Sequence, residues 1–209
     1  MGHYYQIKQG DHLSKIAAHF GFLDYQLIWN HPQNANLKTK RQNPNVLLPG
    51  DCLYIPDRQQ KETGRSTGQT HCFQIKRCVL RLQILAEEAY HTPLADRPYS
   101  LTLGGKPSSK ITSGIGLLTE AIPVDAEEVL LRLEDREIPV KIGHLDPVDT
   151  ESGQTARLTN LGYYWGDPEN RETEAFLSAV EEFQCDHQLQ VDGKCGPKTQ
   201  NRLKQIHGC

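Results

Sequence analysis

The residues able to do chemistry are six cysteines, nine histidines and several carboxylate pairs, and their spacing decides what they can do. Cys185-x-His187, Cys195 and His207-x-Cys209 offer five zinc-type donors, but none of the paired Cys-x-x-Cys spacings of structural zinc sites accompanies them. The other thiols, Cys52, Cys72 and Cys78, lie far apart, and six cysteines allow fifteen disulfide pairings between which sequence cannot choose. No metal and no cofactor is expected. Hydrolytic signatures are missing as well. Thr112-Ser113-Gly114-Ile115-Gly116 is not a Gly-x-Ser-x-Gly elbow, and no His-Glu-x-x-His occurs. No cysteine sits in a recognisable Cys/His setting. Glu87-Glu88, Glu127-Glu128 and Glu181-Glu182 read as solvated surface pairs. The chain is therefore expected to bind rather than to catalyse.

The elements that would present a binding surface fall into three pieces joined by polar stretches. Residues 57–70 carry no apolar side chain and read as a linker, and 146–153 as a shorter one. The expected units are 1–57, 71–145 and 154–209, connected by 58–70 and 146–153. In the first, Tyr5–Lys8 is a strand, Gly10-Asp11 a turn, and Asp11 the N-cap of a helix that buries Leu13, Ile16, Ala17 and Phe20. Tyr25–Trp29 is a second short helix, and Cys52–Ile55 a closing strand after Pro49-Gly50. The middle piece alternates strands and turns, with runs at 79–85, 98–103, 110–123, 129–133 and 138–142, which points to an antiparallel sandwich. The last piece is helical. Leu158 and Leu161 share a face, and Phe176, Leu177, Val180 and Phe183 form one apolar stripe. Pro197 opens a final helix with Leu203 and Ile206 inward. The fold class is α+β multidomain: a βααβ unit, an antiparallel β-sandwich and a three-helix bundle.

A formal charge of −3 gives no general case for nucleic acid. From residue 146 onward, 6 Lys+Arg face 11 Asp+Glu, so the acidity, a net −5, sits in the tail. No apolar run approaches the ~20 residues of a membrane helix, and the first nine residues show no signal-peptide pattern. The expectation is cytoplasmic synthesis, with delivery to the periplasm by a secretion machine.

Three resemblances follow. Tyr5-Gln-Ile-Lys-Gln-Gly10-Asp11-His12-Leu13-Ser14 together with Asn43-Pro-Asn45-Val46-Leu47-Leu-Pro-Gly50-Asp51 resembles a LysM domain, a module for N-acetylglucosamine polymers such as peptidoglycan or chitin. It departs by carrying His31–Gln42 as a polar, basic insertion. The order Pro93–Tyr99, strand, Thr112–Leu117, Pro123, strand resembles a transthyretin-like sandwich. Leu161-Gly-Tyr163-Tyr164-Trp165-Gly166, Ala179-Val-Glu-Glu-Phe-Gln184 and Val191-Asp-Gly-Lys-Cys-Gly-Pro-Lys-Thr199 are similar to the three-helix peptidoglycan-binding domain found beside wall hydrolases. At Asp167–Arg171 it departs from the second Asp-Gly turn of that family. The LysM resemblance puts a sugar groove between Gly10, Asp11, His12 and Leu13 on one wall and Asn45, Val46 and Leu47 on the other. The C-terminal resemblance suggests muropeptide stacking on Tyr163, Tyr164 and Trp165. The modules resemble proteins encoded with type VI secretion clusters. The expected partner is peptidoglycan or its fragments, with secretion spike or effector proteins as the alternative, and neither nucleic acid nor membrane.

Overall fold

In a computed structural model, residues 2–58, 62–74, 78–88, 92–168 and 171–209 are described. The chain is α+β: an N-terminal β/α region, central antiparallel sheets and C-terminal helices.

The N-terminal region runs β1 (His3–Gln6), α1 (Leu13–His19), α2 (Gln26–Trp29), a 3₁₀ turn (Pro32–Asn34), α3 (Ala35–Arg41) and β2 (Cys52–Ile55). β1 and β2 pair antiparallel, His3 opposite Ile55 and Gln6 opposite Cys52. Leu13, Ile16 and Ala17 of α1 pack with Ile28, Trp29, Leu53 and Ile55 in one core. The N-cap is His12, not Asp11: His12 Nδ1 accepts from the Lys15 N–H at 3.3 Å. Asp11 lies one residue too early. Its carboxylate instead accepts from Tyr5 Oη at 2.8 Å and the Lys8 N–H at 2.9 Å, closing the turn after β1.

The 31–42 segment, expected as a polar insertion, is built into the unit. Asn34 is buried, and its amide donates to the carbonyls of Ile28 and Tyr54 and accepts from the Tyr54 N–H, each at 2.8 Å. One side chain thus satisfies the free edge of β2 and ties it to α2. Leu37 enters the core, and Arg41 makes a two-pronged pair with Asp51 at 2.5 and 3.1 Å. Burial opposes ionisation of Asp51, but the Arg41 bonds outweigh it and hold that carboxyl below its usual range.

Centrally, a four-stranded antiparallel sheet has the order β10 (Arg136–Lys141), β9 (Glu128–Leu133), β6 (Pro98–Leu103), β7 (Lys106–Ile111). β3 (Val79–Leu85) pairs with β8 (Leu117–Pro123), and the two-residue strands β4 (Glu87–Glu88) and β5 (Thr92–Pro93) pair with each other. Tyr99, Leu131 and Leu133 of the sheet share a core with Leu118 of β8, and Leu101 and Val129 share one with Ile122. Every second residue of β8 and β9 is buried, the signature of strands covered on one face. Buried Glu120 is satisfied by Tyr99 Oη at 2.9 Å and Lys110 Nζ at 2.7 Å. Burial and that carboxylate push the Tyr99 phenol up to about 12.

The C-terminal helices are α4 (Glu151–Asn160), α5 (Thr173–Asp186) and α6 (Pro197–His207). The 146–153 stretch, expected as a connector, belongs to this unit. Val148 enters its core, and Thr150 caps α4 by accepting from the Gly153 N–H at 3.0 Å. Arg157 is fully buried and donates to the carbonyls of Asp146, Gly153 and Cys209 at 2.7 to 2.9 Å. Phe176, Val180, Phe183 and Leu203 fill the centre. Leu177, placed on the same stripe from its spacing, is instead 43% exposed.

Candidate functional site

The C-terminal surface is organised by Gln184, a buried amide at the end of α5. Its Nε2 lies within hydrogen-bond reach of Asp192 Oδ1 at 2.9 Å, the Lys194 carbonyl at 3.0 Å and Thr199 Oγ1 at 3.0 Å. Its Oε1 accepts from the N–H groups of Asp192 at 2.9 Å and Gly193 at 3.1 Å. Asp192 Oδ1 also accepts from the Lys194 N–H at 2.9 Å. Those two bonds, from Lys194 first and Gln184 second, hold the Asp192 carboxyl below its usual range. Gly193 has φ +66°, and a Cβ there would stand 2.9 Å from Leu177 Cγ, so the turn needs glycine on both counts. The Gln184…Asp192-Gly193…Thr199 phrase is therefore one hydrogen-bonded unit that fixes the path between α5 and α6.

The turn presents charged Asp192, Lys194 and Lys198 to solvent, and apolar side chains are exposed as well. Val191 is 53% exposed, Leu177 packs beside Gly193, and Trp165 is 88% exposed. The aromatic trio divides. Tyr163 is buried and donates to Asp186 Oδ2 at 3.1 Å. Tyr164 is buried, with its hydroxyl accepting from the Glu172 N–H at 3.2 Å. Of the three, Trp165 alone faces water. The following turn differs from the expected Asp-Gly pattern: Arg171 stacks over the Phe176 ring at 4.2 Å and pairs with Glu151 at 3.1 Å. Sequence reasoning missed Leu177 and Val191 as surface residues. The signal was the glycine at 193, which has to leave room for Leu177.

The expected N-terminal groove walls do come together: the Leu13 N–H donates to the Pro44 carbonyl at 3.2 Å. Yet most of their residues are covered. Gly10, Leu13, Val46 and Leu47 are buried, His12 is 3% exposed, Asp11 is half-buried, and only Asn45 is exposed. Leu13 and Leu47 are buried by the unit's own core, whereas Gly10 and His12 lie against Gly143 and His144 of the central unit. A cleft of about 160 Å³ is lined by His12 and Asn45 on one side and by Leu80, Leu82, Ile122 and Gly143 on the other. Burial first, and the Lys15 charge second, hold the His12 imidazole below its usual pKa. The Asp11 charge and the Val124 backbone pull the other way more weakly.

All six cysteines are free. Among the described residues no group of three or more His, Cys, Asp or Glu could hold a metal ion, and no helix is long and apolar enough to cross a membrane.

Residues 155–203 match the family model described as "Putative peptidoglycan binding domain". The matched segment contains Gln184, the 192–199 turn and parts of all three C-terminal helices. No curated protein matches the chain, and no solved structure does. The sequence match alone points to the peptidoglycan-binding class for the C-terminal unit at 155–203, which is carried here behind an N-terminal β/α region and central sheets.

Proposed function

We propose that this chain is a non-catalytic peptidoglycan-binding protein whose working surface is the C-terminal unit. The observation that carries the reading is the family match at 155–203 together with the Gln184–Asp192–Thr199 network that builds the matched turn. An exposed indole at Trp165 and the apolar pair Leu177 and Val191 suit sugar-ring faces and acetyl methyl groups, and backbone groups of the turn suit hydroxyls. The antiparallel β1–β2 pair with helices between its strands supports the LysM-like reading of the N-terminal unit as a second wall-binding module. The β3–β8 pair packed on the four-stranded sheet supports the transthyretin-like reading of the centre as a spacer. Association with a type VI secretion cluster, and delivery to the periplasm by such a machine, extend the same reading from the sequence resemblance.

The test is sedimentation of the purified full chain with purified sacculi, with released muropeptides measured in parallel. Protein in the pellet without muropeptide release is the expected outcome. Protein remaining in the supernatant at every loading sinks the reading. A second reading has one observation in its favour: the N-terminal groove is occupied by protein. In that reading the module is a protein-docking adaptor for a secretion spike or effector, and co-purification with such a partner while sacculi fail to bind would select it.

A further inference from the structure

We propose that the central unit is an intrachain cap on the N-terminal groove, so that a sugar polymer reaches Gly10–Leu13 and Asn45–Leu47 only after the cap swings away. The proposal rests on the reading of those two loops as glycan walls.

The cap is the turn after β10. Gly143, at φ +77°, abuts the groove so closely that a Cβ on it would stand 2.7 Å from the Gly10 carbonyl oxygen and 3.2 Å from His12 Cδ2. The next side chain, His144, lies over Gly10: a Cβ built on Gly10 would be 3.0 Å from His144 Nε2. Two units therefore meet glycine to glycine, with backbone and one imidazole filling the space a ligand would need. Lys15 clasps the junction. Its Nζ reaches the Gly10 carbonyl at 3.4 Å and Glu127 Oε1 at 3.3 Å. Glu127 is fastened to the cap, because its carbonyl accepts from the Ile142 N–H at 2.8 Å. The turn and the carboxylate thus move as one piece.

The same contacts are built to part. The Glu127 side chain is 79% exposed, and an exposed ion pair holds only weakly. The junction also carries an open cleft of about 160 Å³. A second ion pair between the N-terminal unit and the rest of the chain, Arg41 Nη1 to Asp149 Oδ2 at 3.5 Å, also has an exposed carboxylate. Residues 58–70, between the first unit and the second, carry no apolar side chain in the sequence.

The experiment uses the full chain and the N-acetylglucosamine hexamer as probe. Glu127→Lys sets two ammonium groups against each other at an exposed position and leaves every apolar core intact. Gly143→Ala is the second variant, pressing a methyl group on the Gly10 carbonyl. Hexamer affinity is measured by calorimetry, and amide exchange is followed at 10–13 and 142–144. The expected result is faster exchange of both segments in the variants, with hexamer binding about five- to ten-fold tighter than in the parent chain. Equal affinity in all three proteins, with 142–144 equally protected in the parent before and after hexamer is added, overturns the cap while leaving the glycan reading in place. Opened exchange with no hexamer binding in any protein overturns the glycan reading, and the proposal with it.

Discussion

Replacing Gln184 tests whether the wall-type turn is held by one amide. The Gln184 Nε2 has two hydrogens for three acceptors, and its Oε1 takes two N–H groups, so four bonds coexist at most. At about 1 kcal/mol net for each, Gln184→Met removes about 4 kcal/mol. Water can reach the exposed carboxylate of Asp192 and the backbone at Lys194, so the expected loss is about 3 kcal/mol. The assay is residue-resolved amide exchange of Asp192 and Gly193, whose N–H groups both donate to Gln184, in the full chain. A loss of 3 kcal/mol corresponds to about a hundred-fold drop in their protection. Gln184→Glu sharpens the test by its pH dependence. The new carboxyl is buried opposite Asp192, so its native pKa is raised above the unfolded value. Its destabilisation is small near pH 4 and grows as pH rises toward 7. Protection of Asp192 and Gly193 within about three-fold of the parent in Gln184→Met would refute the account of the turn, because that corresponds to under 1 kcal/mol.

Three further outcomes are expected. Burial, with Arg157 second, pushes the His207 imidazole down to about 4, so the native state binds fewer protons than the unfolded chain below the ordinary value of 6.5. The resulting stability is complete above about pH 6.5 and is lost as pH falls toward 4, about 2 kcal/mol after allowing for partial exposure; in melting curves from pH 7.5 to 4.5 the parent should lose more stability than His207→Gln, and an equal loss in both would refute the assignment. Asn34→Ala deletes three buried bonds across α2 and β2 and should cost about 3 kcal/mol, read as faster exchange of the Tyr54 amide with the C-terminal unit unchanged. Trp165→Ala removes an almost fully exposed indole, so melting should not move while sacculus sedimentation falls at least three-fold; unchanged sedimentation would remove Trp165 from the binding surface.

How much was legible in the chain depended on whether the deciding interaction was local. The 184–199 phrase could be read because its glutamine, aspartate, glycine and threonine bond to one another within fifteen residues. Strands β8 and β9 could be read from their alternation. β7 lacked that signal: Lys-Pro-Ser-Ser-Lys-Ile is an edge strand exposed along its length, specified only by pairing with β6. Asp11 was a good cap by type and wrong by one residue, since Tyr5 and Lys8 compete for its carboxylate. The 31–42 segment looked like an insertion because it is mostly polar and basic, with Leu37 its one large apolar side chain. Its contribution is polar, through Asn34 and Arg41, and hydropathy does not register that. Leu177 sat at the right spacing for the core but on the side where Gly193 leaves room for it. The cover over the groove was invisible for a different reason: residues about 130 apart meet there, and nothing in either stretch announces the other.

If the N-terminal unit is a second wall module as proposed, its contact with the central unit changes what the two can do together. On the proposed reading, with the cap seated Trp165 is exposed and the N-terminal groove is filled, so the chain would hold the wall by one site. Were the proposed second site freed, it would engage at the effective concentration set by the tether, which would raise overall avidity by about 10² to 10⁴ without any new contact. The free energy of seating the cap is subtracted from that gain, so a weakly held cap attenuates avidity and a tightly held one abolishes it. Lys15–Glu127 lies at the weak end, being exposed and screened by salt. Retention on sacculi should consequently fall less steeply with ionic strength in this chain than in Glu127→Lys, because salt that weakens the wall contacts also releases the cap. A parent chain and a variant with the same salt profile would mean that the two sites never act together.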